Sequence, residues 1–447
     1  MSFTFDKKII ILFLVSIFFN FSFSTIFAEE KITYYEVKSG VHVLNLSKNN
    51  LTFLEKGWLE NLKKNRELLK MSLENTYDLS KVKVDNLKYD SFRYRSFFEF
   101  YDYDKNLIIL NNPNGFLFSY DINTKQFSEI NSNLHEILSK QKISLEAPFL
   151  KVENTEAQFY WLTSLGARDM EIIESENKRY LLVLASIQKN KFCMKDVIFK
   201  AEINIKLDNL NFDKIFEEGD CSFRGPNQAS SRIKQYDDEH ILITQGLGQL
   251  RDSAEKSNIF STLPVNEWPT GKILKINFKT GKYEIYSKGH RNPQGLTVLN
   301  DKTIVSSEHG PKGGDEINII KKGANYGWPN VSYGIDYSEA LGPLNKNHLN
   351  YEEPLYYFIP SIGISEIKLY DNENLQRWKK NLIISSMKKK SLFRLDIDWE
   401  KLKILTSEEI KIDCRIRDMD INNEGKIYLL CDNLDFIQIS KSINDYK

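Results

Sequence analysis

Five short stretches carry the side chains best suited to chemistry. They are "GHRNPQGL" (289–296), "EHGPKGGDEIN" (308–318), "NYGWPN" (325–330), "SSMKKK" (385–390) and "CRIRDMD" (414–420). Between them they supply Arg291, Asn292, His309, Lys388, Arg415 and Arg417. Arginine grips a carboxylate through two parallel hydrogen bonds, a geometry lysine cannot copy. Arg415 and Arg417 are two positions apart, so in a strand both reach one ligand from the same side. The local alternative is that this pair bridges neighbouring aspartates such as Asp413 and Asp418. Taken alone, Lys388 reads as solvated charge and Arg291 as a turn residue. The glycines of 308–318 let backbone approach a ligand closely, and hard cations accept carbonyl oxygens as well as carboxylates. Asp315 and Glu316 either join such a site or form an ordinary exposed acidic pair. Of the six histidines, His290 and His309 lie inside these stretches, whereas His240 falls in a strand-like run and reads as packing.

Those stretches need a frame, and the frame reads as strands. Helical periodicity is confined to 55–75, where Trp58, Leu62, Leu69 and Leu73 share one face. Elsewhere short apolar runs alternate with Asn, Asp, Gly and Lys turns. A strand–loop–strand theme recurs at 106–130, 179–219, 240–289, 303–323, 381–405 and 426–440. Six irregular repeats of this kind fit an all-β, six-bladed β-propeller of four-stranded antiparallel blades better than stacked β-sandwiches. Cys193, Cys221, Cys414 and Cys431 lack zinc-site spacing. Pairing Cys414–Cys431 and Cys193–Cys221 would staple two local hairpins, with free buried thiols as the alternative.

Lys7 and Lys8, the apolar run 9–19 and a small residue before Glu29 read as an export signal cut after Ala28. Asn20, Ser22 and Ser24 interrupt that run before it could span a bilayer, so no stable membrane anchor is expected. The expected organisation is therefore 1–28 signal peptide, 29–150 a divergent N-terminal part (first blade plus the helix), and 151–447 the main propeller. The expected location is periplasmic or secreted. With 61 basic and 61 acidic residues the chain lacks the cationic excess that a nucleic-acid partner demands.

Together "GHRNPQGL", "EHGPKGGDEIN" and "NYGWPN" resemble the soluble quinoprotein glucose and aldose-sugar dehydrogenases, the glucose/sorbosone dehydrogenase family. The resemblance is specific from about residue 220 to 433 and implies a periplasmic six-bladed propeller that uses pyrroloquinoline quinone (PQQ) and calcium. PQQ is a flat quinone with three carboxylates, so the implied cofactor contacts are Arg291, Asn292, His309, Lys388, Arg415 and Arg417. The carbonyls of Gly310 and Pro311 match those that hold the family's cofactor-linked calcium. Glu316, with the carbonyl of Tyr326, resembles part of a second, structural calcium site. The implied activity is oxidation of a sugar or related alcohol, with electrons passed to an unknown acceptor outside the cytoplasm.

One departure stands out. The family's general base is a histidine, oriented by an aspartate. Here the matching text is "NQASSRIKQYDDEHILITQGLGQL" (227–250), which puts Gln228 or Asn227 at the base and Leu247 at the aspartate. An amide cannot accept a proton near neutral pH, so Gln228 could orient a sugar hydroxyl but not deprotonate it. His290 and His309 lie beside the implied cofactor residues, and His309 is the best substitute candidate. The second reading is therefore a propeller that binds the cofactor or a sugar without turnover, and a third is a scaffold for protein contacts.

Overall fold

The computed structural model describes residues 35–38, 41–45, 51–55, 97–102, 107–113, 115–139, 166–190, 193–204, 207–219, 232–246, 270–335, 346–432 and 435–440. Three strands come first: β1 (Tyr35–Lys38), β2 (Val41–Asn45) and β3 (Leu51–Glu55). Blade 1 is β4 (Phe97–Asp102), β5 (Leu107–Asn111), β6 (Leu117–Asp121) and β7 (Gln126–Ile130), followed by a short helix α1 (Leu134–Ser139). Blade 2 is β8 (Gly166–Ser175), β9 (Lys178–Asn190), β10 (Cys193–Glu202) and β11 (Asp213–Glu217). Blade 3 is β12 (Ile233–Gln235), β13 (His240–Gln245), β14 (Lys272–Asn277) and β15 (Tyr283–Lys288). Blade 4 is β16 (Pro293–Val298), β17 (Ile304–Glu308), β18 (Asp315–Ile320) and β19 (Tyr356–Phe358). Blade 5 is β20 (Ile364–Tyr370), β21 (Asn381–Ser386), β22 (Ser391–Asp398) and β23 (Lys403–Lys411). Blade 6 is β24 (Ile416–Ile421), β25 (Ile427–Cys431) and β26 (Phe436–Ile439), completed by β3.

The first strand of each blade touches the first strand of the next, and β24 meets β4, so the ring is closed. Closure removes the long sheet edges that an open sheet would expose. The chain start reinforces it twice. β3 pairs antiparallel with β26, so blade 6 is built from both ends of the described chain. β1 and β2 form a hairpin laid on the outer edge of blade 5, with β2 parallel to β23. The expected N-terminal part thus divides: 97–130 form a complete blade, while the strands before it serve blades 5 and 6. The helix expected over 55–75 lies outside the described residues beyond Glu55, which ends β3.

Six buried apolar clusters fill the six gaps between neighbouring blades. Middle strands are therefore covered on both faces, and β21 is buried at every position. That is why they read as short continuous apolar runs. The inner strands differ. They line the axis, and those of blades 2, 3, 5 and 6 carry charge at alternate positions: Asp169 and Glu171, Arg232 and Lys234, Glu366 and Lys368, Asp418 and Asp420. Arg232 forms ion pairs with Asp169 (3.2 Å), Asp418 (3.1 Å) and Glu366 (3.0 Å). Its Nε donates to the Gln294 carbonyl (2.7 Å), a terminal N–H to the Arg417 carbonyl (3.3 Å), and the guanidinium lies over the Phe97 ring. One side chain thereby joins all six blades.

A second layer holds Lys234 with Glu171 and Glu99, and Lys368 with Asp420. Six carboxylates face three cations on the axis. Burial pushes Glu99, Glu366 and Asp169 upward, Asp169 to about 7 despite the opposing pull of Arg232. Burial alone would lower Arg232, but Glu366, Asp169 and Asp418 overcome it and keep the guanidinium charged.

Candidate functional site

In an antiparallel blade the start of the first strand, the end of the second and the end of the fourth share one face of the ring. Arg291 and Asn292 link the fourth strand of blade 3 to the first of blade 4. His309, Gly310 and Pro311 follow the second strand of blade 4, and Lys388 follows that of blade 5. Arg415 and Arg417 begin the first strand of blade 6. The topology therefore delivers all of them to the same face, across blades 3 to 6.

Arg291 is organised by Glu308. One Glu308 carboxylate oxygen accepts the backbone N–H groups of Arg291 and of Asn292, the latter at 3.1 Å. The other lies 3.1 Å from Nδ1 of His290, whose Nε2 is 2.8 Å from the Ser287 hydroxyl. His290 is buried and stacked on Tyr326 (ring centroids 4.6 Å apart), so it is a supporting residue. Gly289, at φ +76°, has no room for a Cβ against Asn325, Tyr326 and Gly327; this is how "GHRN" and "NYGW" are locked together. The Arg291 guanidinium donates to the carbonyls of His309 (3.1 Å) and Gly310 (3.0 Å) and lies over Trp328. Asn292 is buried, and its Oδ1 has no hydrogen-bond partner among the described residues.

Arg415 and Arg417 share one carboxylate, that of Asp432. Their Nε groups donate to its two oxygens at 2.9 and 2.8 Å. The aspartate that the pair bridges is thus neither Asp413 nor Asp418; Asp418 serves Arg232 and the Phe98 amide. A bulge between Ile416 and Asp418 leaves Arg417 without a strand partner and re-aims its side chain. Both arginines spend the Nε side, and no hydrogen bond from the terminal N–H groups of Arg417 is found among the described residues. Arg415 also lies 3.5 Å from the Met387 carbonyl, which brings it beside the exposed Lys388.

His309 sits between these two groups. Burial pushes its imidazole down to about 4; Asp315 opposes this while Arg291 and Arg417 add to it. The side chain keeps 18 % of its exposure, so it is neutral near pH 7 and still reachable. Asp315 is fully buried and accepts from Gly310 N, the Ser361 hydroxyl and the amides of Ile362, Gly363 and Ile364. It therefore pins the His-Gly-Pro loop to the start of blade 5 and is not an exposed surface acid. Glu316 is pushed to about 8, first by burial and then by Glu308. Tyr326 is buried, its hydroxyl donating to the Ile319 carbonyl at 2.6 Å.

Gln228, Asn227, Leu247 and Cys221 lie outside the described residues. Glu308 and Asp432 escaped sequence reading because each acts on residues many positions away. The only signal was that Glu308 opens the 308–318 stretch and Asp432 follows a cysteine. Cys414 and Cys431 do form a disulfide, with Cα atoms 5.9 Å apart.

A closed ring of six four-stranded blades defines a β-propeller, and one of its faces gathers three arginines, a lysine and a histidine. The family follows from comparison. Residues 155–437 match the glucose / sorbosone dehydrogenase family, and the chain belongs to it. Aldose sugar dehydrogenase YliI of Escherichia coli is 36 % identical over 156 residues, which cover 33 % of this chain and 41 % of that protein. The matched stretch thus spans less than half the length of that relative. A crystal structure of a glucose dehydrogenase superposes with a TM-score of 0.62 at 23 % identity, over 78 % of this chain and 97 % of the other. The PQQ-bound aldose sugar dehydrogenase of Streptomyces coelicolor has a TM-score of 0.51 at 17 % identity, over 75 % of this chain and 90 % of the other.

Proposed function

We propose that this protein is an exported PQQ-dependent oxidoreductase that acts on a sugar or related alcohol and passes electrons to a carrier outside the cytoplasm. The observation that carries this reading is the meeting of Arg291, Lys388, Arg415 and Arg417 at one face, with Arg415 and Arg417 held side by side on Asp432. Family membership and a PQQ-bound structural neighbour support it. The residues fit such a group: fixed guanidinium donors for its carboxylates, an exposed lysine, and the buried Asn292 oxygen, an acceptor with no partner among the described residues. When bound, PQQ supplies the hydride acceptor.

The protein's part is binding, orientation and proton management. Arg415 and Arg417 would take carboxylates through their terminal N–H groups while Asp432 keeps their Nε sides fixed. Arg291 and Asn292 would hold the cofactor against the loop that Glu308 organises. Among the described residues His309 is the neutral nitrogen base of the site. A base works best when its pKa lies near the working pH, and about 4 is far below it. That value favours the second reading, a propeller that binds cofactor or sugar with little turnover.

Calcium has narrower support. No group of three or more His, Cys, Asp or Glu side chains is placed to hold a metal among the described residues. The Gly310 carbonyl faces the Arg291 guanidinium, so a cation there requires that arginine to turn away. Glu316, whose carboxyl is pushed up by burial and by Glu308, would lose its proton to solvent on binding an ion held together with the Tyr326 carbonyl.

The test is reconstitution of the mature chain with PQQ, with and without calcium, followed by aldoses while the cofactor absorbance is recorded. Bleaching of the oxidised cofactor by a sugar supports the oxidoreductase. Bound cofactor that no sugar reduces supports the binding protein, and absence of any spectral change on adding PQQ overturns both.

A further inference from the structure

We infer that the Cys414–Cys431 disulfide is a positioning element for the Arg415/Arg417 pair, so that tight binding of the cofactor's carboxylates requires this bond to be oxidised. The inference rests on the PQQ reading above. Its basis is placement. Cys414 immediately precedes Arg415, and Cys431 immediately precedes Asp432, so the covalent bond lies one residue from both partners of the Arg415–Asp432 ion pair. Regular pairing of β24 with β25 ends at Ile416 and Cys431, and a bulge interrupts the ladder one step inside. Beyond that point the two strands share one backbone hydrogen bond among the described residues, from Asp432 N to the Arg415 carbonyl at 2.8 Å, besides the side-chain bonds to Asp432.

Strand ends held by so few bonds open at little cost in free energy. Here that end carries the carboxylate on which both guanidinium groups depend. If Asp432 moves relative to Arg415, both Nε anchors go at once, and two long side chains must be ordered again when ligand binds. The bond also lies at the apolar boundary of the cluster between blades 5 and 6, where Cys414 and Cys431 are buried. The blades therefore stay together without it, and its distinctive effect falls on the face that carries the charges.

Ordering two rotamer-rich side chains on binding corresponds to about a 10- to 100-fold loss in affinity. The test compares wild type with the Cys414→Ser, Cys431→Ser double variant. PQQ affinity is measured by absorbance titration well below both thermal midpoints, and circular dichroism checks the fold. A second arm, needed if the double variant does not fold, reduces folded wild type with a dithiol. Two electrons and two protons convert the disulfide to two thiols while the reagent becomes a disulfide. The reagent is removed before titration; one portion is alkylated so that reduction of Cys414 and Cys431 can be mapped by mass spectrometry, and the unalkylated remainder is titrated with PQQ and then reoxidised.

The expected result is affinity weakened about 10- to 100-fold in a folded propeller and restored on reoxidation. A purely structural bond would lower the thermal midpoint and leave the affinity below it unchanged, which would overturn the inference. Equal affinity in the reduced and oxidised wild type would overturn it as well. Wild type that takes up no PQQ in either state would overturn the functional reading itself, and this inference with it.

Discussion

Replacing Arg232 with methionine should be the most damaging single change on the propeller axis, and its cost should depend on pH. Arg232 is 6 % exposed and faces three carboxylates within 3.2 Å. Removing one partner of a buried ion pair costs about 3–5 kcal/mol, because the remaining charge stays desolvated. Loss of the bonds to the Gln294 and Arg417 carbonyls adds about 1 kcal/mol each. The sum is at least about 5 kcal/mol, a large share of a typical folding free energy of roughly 5–15 kcal/mol.

The pH sign follows from the same residues. Without the guanidinium, Asp169 and Glu366 bind protons more tightly in the folded state, so the deficit must grow as pH rises. Urea denaturation at pH 5.5 and pH 8 should show a larger loss at the higher value. Asp169→Asn in the Arg232→Met background should recover part of the loss at pH 8. A deficit below about 1 kcal/mol, or one independent of pH, would refute the assignment of Arg232 as the electrostatic hub.

In the wild type, Asp169 has a folded pKa of about 7 against about 4 unfolded. Its stabilising contribution is therefore complete below about pH 4 and is lost as pH rises through 7. The thermal midpoint of Asp169→Asn should accordingly vary less with pH over that window than that of wild type; parallel profiles would contradict the buried protonated carboxyl. Glu308→Ala leaves two backbone amides and His290 without their acceptor, so it should destabilise by about 3 kcal/mol. Glu308→Gln, which keeps an oxygen for the amides, should cost clearly less in the same unfolding assay. Removing residues 29–55 deletes the outer strand of blade 6 and the hairpin on blade 5, so that chain should unfold at lower urea than the full one. An unchanged midpoint would show that closure does not depend on β3.

Legibility in the sequence divided along physical lines. All six repeats correspond to blades, yet each was recognised from its second and third strands. Those strands pack on both faces and read as apolar runs. The inner strands were illegible because they face the axis: "RDMEI" and "RIKQ" carry charges where a buried strand normally carries Val or Ile. The cations gathered at one face were legible one by one through the family motifs. Their partners were not, since Glu308 lies 17 residues from Arg291 and Asp432 lies 15 from Arg417. Such pairings exist only once blades fold. The Cys414–Cys431 bond was legible as a hairpin staple, but its position at the charged rim became clear only from the register of β24 and β25. Two sequence-local alternatives failed for the same reason: Asp315 is consumed inside the fold, and Asp418 points to the axis.

The central claim is that this face binds PQQ through its paired arginines. The most direct measurement is a PQQ absorbance titration of the folded wild type beside the Arg415→Ala, Arg417→Ala double variant. Saturable uptake by wild type, abolished in a double variant that keeps its thermal midpoint to within a few degrees, is the predicted result. Equal uptake by both proteins, or none by wild type, would contradict it.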